Sequence, residues 1–136
     1  MPRRSRAREV VLQVLYQDDL NSDSDQESSK LFLESRLHGN ELLVEFAWSL
    51  LSGVRRNRGE LDQMLSDAAE NWALERMAVT DRNVLRLGAY EILYTETPEK
   101  VAINEALELA KRFGAEQSSQ FVNGILDRFI RKQGAE

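Results

Sequence analysis

Residues 40–54, NELLVEFAWSLLSGV, decide the fold class. Their apolar side chains recur every three or four positions, which is the spacing of one face of an α-helix. Asn40 is a suitable N-cap for this helix. The same spacing returns over residues 61–68, which predicts a further helix. The apolar stripe of the first of these helices comprises Leu42, Leu43, Phe46, Ala47, Leu50, Leu51 and Val54.

Helical spacing continues in both directions from this stretch. Only two prolines interrupt the 136 residues, and runs of strictly alternating polarity are missing. Residues 21–29, NSDSDQESS, contain no apolar side chain and predict a mobile acidic loop before a short helix at residues 30–37. We therefore predict an all-α protein of about seven helices. The buried stripe of its first helix comprises Ala7, Val10, Val11, Val14 and Leu15.

Single residues mark several later helix features. Thr80 is a candidate N-cap for the fifth helix, with Asp81 near its positive dipole end. Gly88 lies inside this helix, where glycine costs about 1 kcal/mol relative to alanine, and this indicates a close approach by a neighbouring element. Lys111 lies in the last turn of the sixth helix, and Gly114 is placed to end that helix.

Positive charge is concentrated at the N-terminus. The chain has a net charge of -5, yet its first eight residues carry Arg3, Arg4, Arg6 and Arg8 and no acidic side chain. A local basic cluster attracts phosphates largely through counterion release, so an acidic protein can still bind nucleic acid at one surface. A solvated, disordered tail explains the cluster equally well, and the residues alone leave both readings open.

Aromatic and polar side chains near these arginines have two readings as well. Gln13 shares a side of the first helix with Arg6, and Tyr16 follows one turn later, so its ring could stack on an unpaired base. Taken alone, Tyr16 is read first as an ordinary residue at the edge of the core, and so is Phe121. The basic run at residues 55–58 is either a phosphate contact or, as we favour, a charged helix junction.

The composition argues against catalysis. The sequence has no cysteine, and its one histidine, His38, stands beside glycine with no motif around it. No HExxH motif, Walker A motif or glycine-rich dinucleotide loop is present. We expect no metal and no cofactor. No stretch approaches the roughly 20 apolar residues of a membrane span, and no secretory signal is visible. The expectation is a soluble cytoplasmic protein with no membrane partner.

Five blocks of sequence are more specific than their periodicity. In chain order they resemble the NusB family of transcription antitermination factors, and together they extend over nearly the whole chain. The blocks are RRSRAREVVLQVLYQ at residues 3–17, LLSGV at 50–54, DRNVLRLGAYEIL at 81–93, VAINEALELAKRFG at 101–114 and SSQFVNGILD at 118–127.

This resemblance implies two small packed helical bundles and a single RNA-binding domain over residues 1–136. It also implies a role in ribosomal RNA transcription, in which the protein pairs with the ribosomal protein NusE, binds single-stranded boxA RNA and joins RNA polymerase. The RNA-binding residues it implies are Arg3, Arg4, Arg6, Arg8, Gln13, Tyr16, Lys111, Arg112, Phe121 and Asn123, and the NusE-facing ones are Glu75 and Asp81.

Several of these roles have alternatives. Acidic side chains such as Asp81 also stabilise a helix start, and Asn123 stands before a glycine that could simply permit close helix packing. The chain could instead be an interaction module that is mainly a homodimer with weak or masked RNA binding. A third possibility is the NusB-like helical domain attached to certain ribosomal RNA methyltransferases, but the sequence contains no methyltransferase segment.

Overall fold

The structure is a computed structural model that describes residues 3–21, 25–70 and 72–134. Within these ranges the chain forms seven α-helices, one short 3₁₀ helix and no strand, which confirms the predicted all-α class. The α-helices are α1 (Arg3–Leu20), α2 (Gln26–Arg36), α3 (Glu41–Arg56), α4 (Arg58–Ala69), α5 (Val79–Tyr94), α6 (Glu99–Phe113) and α7 (Ser118–Gly134), and the 3₁₀ helix spans Leu74–Arg76.

The helices pack in two groups that meet along α5. Helices α1, α2 and α3 contact one another, and α4, α5, α6 and α7 form the second group. Helix α5 also packs on α1 and α3, so the buried apolar side chains of both groups form one continuous core. Fully buried Leu50 of α3, Leu85 of α5 and Phe129 of α7 belong to this core. The arrangement agrees with the two packed bundles expected.

Two glycines allow this close packing around α5. A Cβ atom at Gly53 of α3 would overlap the ring of Tyr90 on α5. At Gly88, a Cβ atom would lie 3.3 Å from the Ala106 Cβ of α6 and 3.3 Å from the Leu126 Cδ1 of α7. The close approach predicted at Gly88 is therefore confirmed. The missing side chain lets three helices pack together at one point.

Helix α2 begins earlier than predicted. Asp25 is its N-cap, and its Oδ1 accepts a hydrogen bond of 2.7 Å from the backbone N–H of Ser28. This cap satisfies one of the free N–H groups at the helix start, so the helix includes residues 26–29. The predicted loop over residues 21–29 was therefore wrong in its last part. Residues 22–24 lie outside the described part of the chain.

Two predictions about single residues also differ from the structure. Leu42 is 78% exposed, because it lies in the first turn of α3 and the buried stripe of that helix starts at Val44 instead. Thr80 is not an N-cap, because α5 begins one residue before it, after Ala78, and Ala78 has no side chain that could cap the helix. Gly114 does end α6, with its N–H donating to the Ala110 carbonyl.

A buried aspartate ties the end of α1 to α4 and α5. Asp19 accepts hydrogen bonds from Arg58 (2.7 Å), Arg82 (2.9 Å), Asn83 (2.6 Å) and Arg86 (3.0 Å). Burial by itself would raise the pKa of Asp19, but hydrogen bonds from Arg82 and Asn83 and the positive charge of Arg86 lower it from 3.8 to about 2. The ionised carboxylate is thus the stable form inside this network.

Acid should weaken the fold through this carboxylate. Its pKa is lower in the folded protein than in the unfolded chain, so its contribution to stability is present above about pH 4 and is lost as the pH falls towards about 2. Urea unfolding at several pH values is expected to show this fall, and to show a shallower fall in Asp19→Asn. The control is Asp127→Asn, whose carboxylate is paired but half exposed. An equally steep fall in Asp19→Asn would contradict the assignment.

Candidate nucleic-acid interface

A groove of about 750 Å³ runs along the exposed ridge of α1. Glu9, Gln13, Tyr16 and Gln17 are linked by spacings of three or four positions, so they share one face of the helix. They stand between α2 on one side and the start of α5 and the end of α6 on the other. Lining residues include Glu9, Gln13, Tyr16 and Gln17 of α1, Phe32 and Arg36 of α2, Thr80 of α5 and Phe113 of α6.

Three of the four N-terminal arginines remain available to solvent. Arg3 and Arg4 are exposed, and the Arg4 guanidinium lies 4.4 Å from the centre of the Phe46 ring. The Arg6 side chain is 41% exposed and donates a hydrogen bond of 3.1 Å to Glu9. Because these residues lie in the first turns of α1, the described part of the basic cluster is helical and not a disordered tail.

Arg8 is buried, and its predicted contact with RNA phosphate was wrong. Its side chain is 5% exposed, and its Nε and Nη2 donate to the two carboxylate oxygens of Glu91 at 2.7 and 2.8 Å. Glu91 is itself 2% exposed and also accepts a hydrogen bond from Thr97. The guanidinium is closed off by this bidentate pair. It fastens α1 to α5.

Glu9 brings together cations from two distant helices. Its Oε1 accepts the hydrogen bond from Arg6, and its Oε2 accepts one of 2.7 Å from Arg112 at the end of α6. The Arg112 side chain is 58% exposed. Phe113, which follows it, is 39% exposed and lines the groove, and the neighbouring Lys111 is exposed as well. Arg6 and Arg112 are therefore joined through Glu9, which lines the groove together with Gln13 and Tyr16.

Tyr16 is a surface residue of the groove. Its ring is 39% exposed, and Gln13, half-buried, lines the same groove one turn earlier. A residue at the edge of the core would contribute mainly apolar contacts, whereas this ring also faces a space large enough for a nucleobase. The two residues are available for stacking and for hydrogen bonding to a base edge.

Phe121 lies in a different cleft, of about 480 Å³, between α7, the start of α5 and the segment before the 3₁₀ helix. Its half-buried ring packs edge-on against Trp72, with 5.4 Å between the ring centres. Trp72 is 53% exposed and also lines the cleft. Sequence reasoning missed Trp72, because its exposure depends on how the segment after α4 turns. Asn123 is exposed on α7 and lines neither cleft.

Asp81 lines the same cleft as Phe121. It is only 9% exposed, and among the described residues its Oδ1 has no hydrogen-bond partner. A buried carboxylate oxygen without a donor is costly, which favours a partner molecule that supplies one. Glu75 is exposed in the 3₁₀ helix and borders a neighbouring, smaller cleft.

The second basic run has a structural role. Arg55 donates two hydrogen bonds to Asp18, and Arg58 donates one to Asp19. The run therefore attaches the junction of α3 and α4 to the end of α1, as favoured from the sequence. None of the helices in the described ranges is long and apolar enough to cross a membrane.

A sequence profile of the NusB family matches residues 5–131. The chain belongs to the NusB family. One relative is the transcription antitermination protein NusB of Anaeromyxobacter dehalogenans strain 2CP-1, which is 44% identical over 126 residues, covering 93% of this chain and 89% of that protein. These matches confirm the resemblance read from the five sequence blocks.

Solved structures of NusB proteins share the fold. NusB of T. maritima is 40% identical, with a TM-score of 0.85 over 97% of this chain and 92% of the other. A crystal structure of the antitermination factors NusB and NusE in complex with dsRNA is 26% identical, with a TM-score of 0.86 over 97% and 98%. In this NusB-family chain, the α1 groove and the Trp72 cleft are the two candidate surfaces for partners.

Proposed function

We propose that this chain is a transcription antitermination factor that binds single-stranded boxA RNA in the α1 groove and pairs with NusE. One observation carries the RNA-binding part. The fold places the Tyr16 ring and the Gln13 amide in one groove with Glu9, whose carboxylate holds Arg6 and Arg112. The related complex that contains NusB, NusE and RNA supports both partners.

The groove suits an unpaired strand. A base stacked on Tyr16 would gain about 1 to 3 kcal/mol, and the Gln13 amide can donate to and accept from a base edge. Arg6 and Arg112 would contact phosphates, with the exposed Arg3, Arg4 and Lys111 as further cations. Asn123 remains a polar candidate on α7. Phosphate contacts fix the position of the strand, and contacts with bases give the sequence preference.

The related complex contains double-stranded RNA, which gives the main alternative ligand. An A-form duplex stacks its bases internally and leaves them unavailable to a side-chain ring. Tyr16 and Gln13 would then contribute little, and binding would depend on the cations that contact phosphates. We favour the single strand because it also uses the Tyr16 ring and the Gln13 amide.

Fluorescence anisotropy tests this proposal. Labelled boxA RNA, a scrambled strand and a boxA duplex are titrated with the protein, with and without purified NusE, over a range of salt concentrations and alongside light scattering. We expect boxA-selective binding that strengthens with NusE. Equal, weak binding to all three RNAs by a stable homodimer, unaffected by NusE, would favour the competing interaction module.

The Trp72 cleft is the proposed NusE-docking surface. The Oδ1 atom of Asp81, unpaired within the described chain, can accept a hydrogen bond from a cationic or N–H group of NusE. Trp72 offers exposed apolar area of the kind enriched at protein interfaces, and Phe121 packs beside it. Glu75 extends the acidic character of this region. In this proposal Phe121 acts on the protein-binding side and not as a base-stacking residue.

Asp81→Asn is expected to weaken binding to NusE about five- to tenfold while changing the free energy of unfolding by less than about 1 kcal/mol. The amide keeps the shape of the side chain but removes the charge that strengthens the hydrogen bond. Calorimetric titration with NusE and urea unfolding measure the two effects, and Glu99→Gln, an exposed acid in the first turn of α6, is the control. A loss of stability as large as the loss of binding would make Asp81 a helix-start residue.

In the proposed mechanism the protein acts by assembling a complex and catalyses no reaction. The protein, NusE and boxA RNA would form one unit that joins the elongating RNA polymerase, and a homodimer that covers the α1 groove would oppose this. Such a role requires the cytoplasm, where nascent ribosomal RNA is made.

A further inference from the structure

We propose that Glu9 sets the RNA selectivity of the α1 groove by holding Arg6 and Arg112 in one fixed arrangement. Glu9 is a positioning residue in this scheme, because it acts on RNA through the two arginines. The inference rests on the proposed RNA-binding function. It assigns a role to Glu9, the first acidic residue after four arginines, whose importance is not evident from the charge pattern of the N-terminus.

The geometry of Glu9 is that of a bridge. Its side chain is 7% exposed, whereas the two arginine side chains it contacts are 41% and 58% exposed. Each carboxylate oxygen accepts one hydrogen bond from a guanidinium. Oε1 accepts from Arg6 at 3.1 Å, and Oε2 accepts from Arg112 at 2.7 Å. A solvated surface pair would leave the acid exposed as well. Here the carboxylate is almost enclosed, and the cations extend from it towards solvent.

Both arginines keep donors for a ligand. A guanidinium has five N–H donors, and the bonds to Glu9 involve a single nitrogen, Nη1, of each side chain. The Arg112 guanidinium also lies 5.7 Å from the centre of the neighbouring Phe113 ring, which lines the groove. The two guanidinium groups are thus held by Glu9, a residue of the groove lining, before any RNA arrives.

The fixed arrangement of the two arginines affects the binding of specific and nonspecific RNA differently. Fixing a long, flexible side chain in advance is worth roughly two- to tenfold in affinity, and only a strand whose phosphates fit the fixed positions gains from it. The negative charge of Glu9 also reduces the general attraction of the two arginines for any phosphate. The first effect favours a fitting strand over a random one, whereas the second weakens the binding of every strand.

Glu9→Gln tests the role of the carboxylate, since it keeps the shape of the side chain and removes its charge. Binding of boxA RNA and of a scrambled strand is measured by anisotropy for the wild type and the variant. The control is Asp127→Asn, which removes the same charge from an exposed acid of α7 that pairs with Arg131, at 2.9 Å, away from the groove lining. Urea unfolding of each variant shows whether the fold is kept.

In Glu9→Gln we expect boxA binding to weaken about fivefold and scrambled RNA to bind as well as before or better. In Asp127→Asn the ratio of the two affinities should not change. Adding Arg112→Gln to Glu9→Gln should cost less than Arg112→Gln costs in the wild type, because the bridge is already lost.

Two results would overturn the inference while leaving the proposed function intact. One is a wild type that selects boxA and a Glu9→Gln variant with the same selectivity. The other is a loss of affinity for both strands that parallels a loss of stability, which would make Glu9 purely structural. A wild type that does not distinguish boxA from the scrambled strand would instead contradict the proposed function, and the inference with it.

Discussion

Replacing Arg8 with alanine is expected to lower the free energy of unfolding by about 3 to 5 kcal/mol. The change removes the only cation within hydrogen-bonding distance of the Glu91 carboxylate among the ion pairs of the described residues, and that carboxylate is 2% exposed. A buried charge without a partner keeps its desolvation penalty and loses the attraction that offset it. Urea unfolding followed by circular dichroism at neutral pH measures the effect.

Two further variants test whether the loss of stability comes from the buried Arg8–Glu91 pair. Arg4→Ala removes an exposed arginine from the same helix and should cost less than about 1 kcal/mol, the scale of an exposed cation–aromatic contact. Arg8→Met combined with Glu91→Leu removes both charges and should recover most of the lost stability, as apolar replacements of buried pairs often do. If Arg8→Ala cost no more than Arg4→Ala, the pair would not hold α1 to α5.

Replacing Arg3, Arg4 and Arg6 together with alanine is expected to weaken boxA RNA binding about 100-fold at about 0.1 M salt. Each phosphate neutralised on a single strand contributes about 0.7 to the slope of log affinity against log salt, so three lost contacts should flatten the slope by about 2. Arg8 is left in place because its loss would destabilise the fold. Anisotropy titrations between low and moderate salt measure both quantities.

The matched control removes three exposed positive charges elsewhere, in Lys100→Ala, Arg131→Ala and Lys132→Ala combined. The total charge of the two triple variants is the same, so a general electrostatic effect would weaken both equally. We expect the control to keep most of the wild-type slope. An unchanged slope in the N-terminal variant would exclude these arginines from the RNA site.

Much of the fold could be predicted from helical spacing, because apolar side chains at this spacing lie on one face of a helix and become buried together. The stripe from Ala7 to Leu15 is buried as expected. The errors lie at helix ends. The start of α2 depends on Asp25, whose capping role is hidden in a polar segment rich in turn-forming residues, and Leu42 follows the periodicity of α3 although no neighbouring element covers its first turn.

The candidate site was harder to predict because charged side chains look alike in a sequence. Arg6 and Arg8 stand two positions apart, yet one is half exposed and the other is enclosed by Glu91, 83 residues away. Only tertiary packing separates them. The family resemblance pointed to one surface of α1, but it did not show that Glu9 joins Arg6 to Arg112. The sequence around an acidic residue does not show which distant arginine it will pair with.

The pairing of Arg8 with Glu91 also affects how the chain can fold during synthesis. The first helix leaves the ribosome early, but its buried arginine has no counter-ion until 83 more residues have been added. At about 5 to 20 residues per second this takes roughly 4 to 17 seconds. Through that interval α1 cannot dock in its final position. The α1 groove therefore forms late, because its lining also needs Phe113, which is added when about five-sixths of the chain exists.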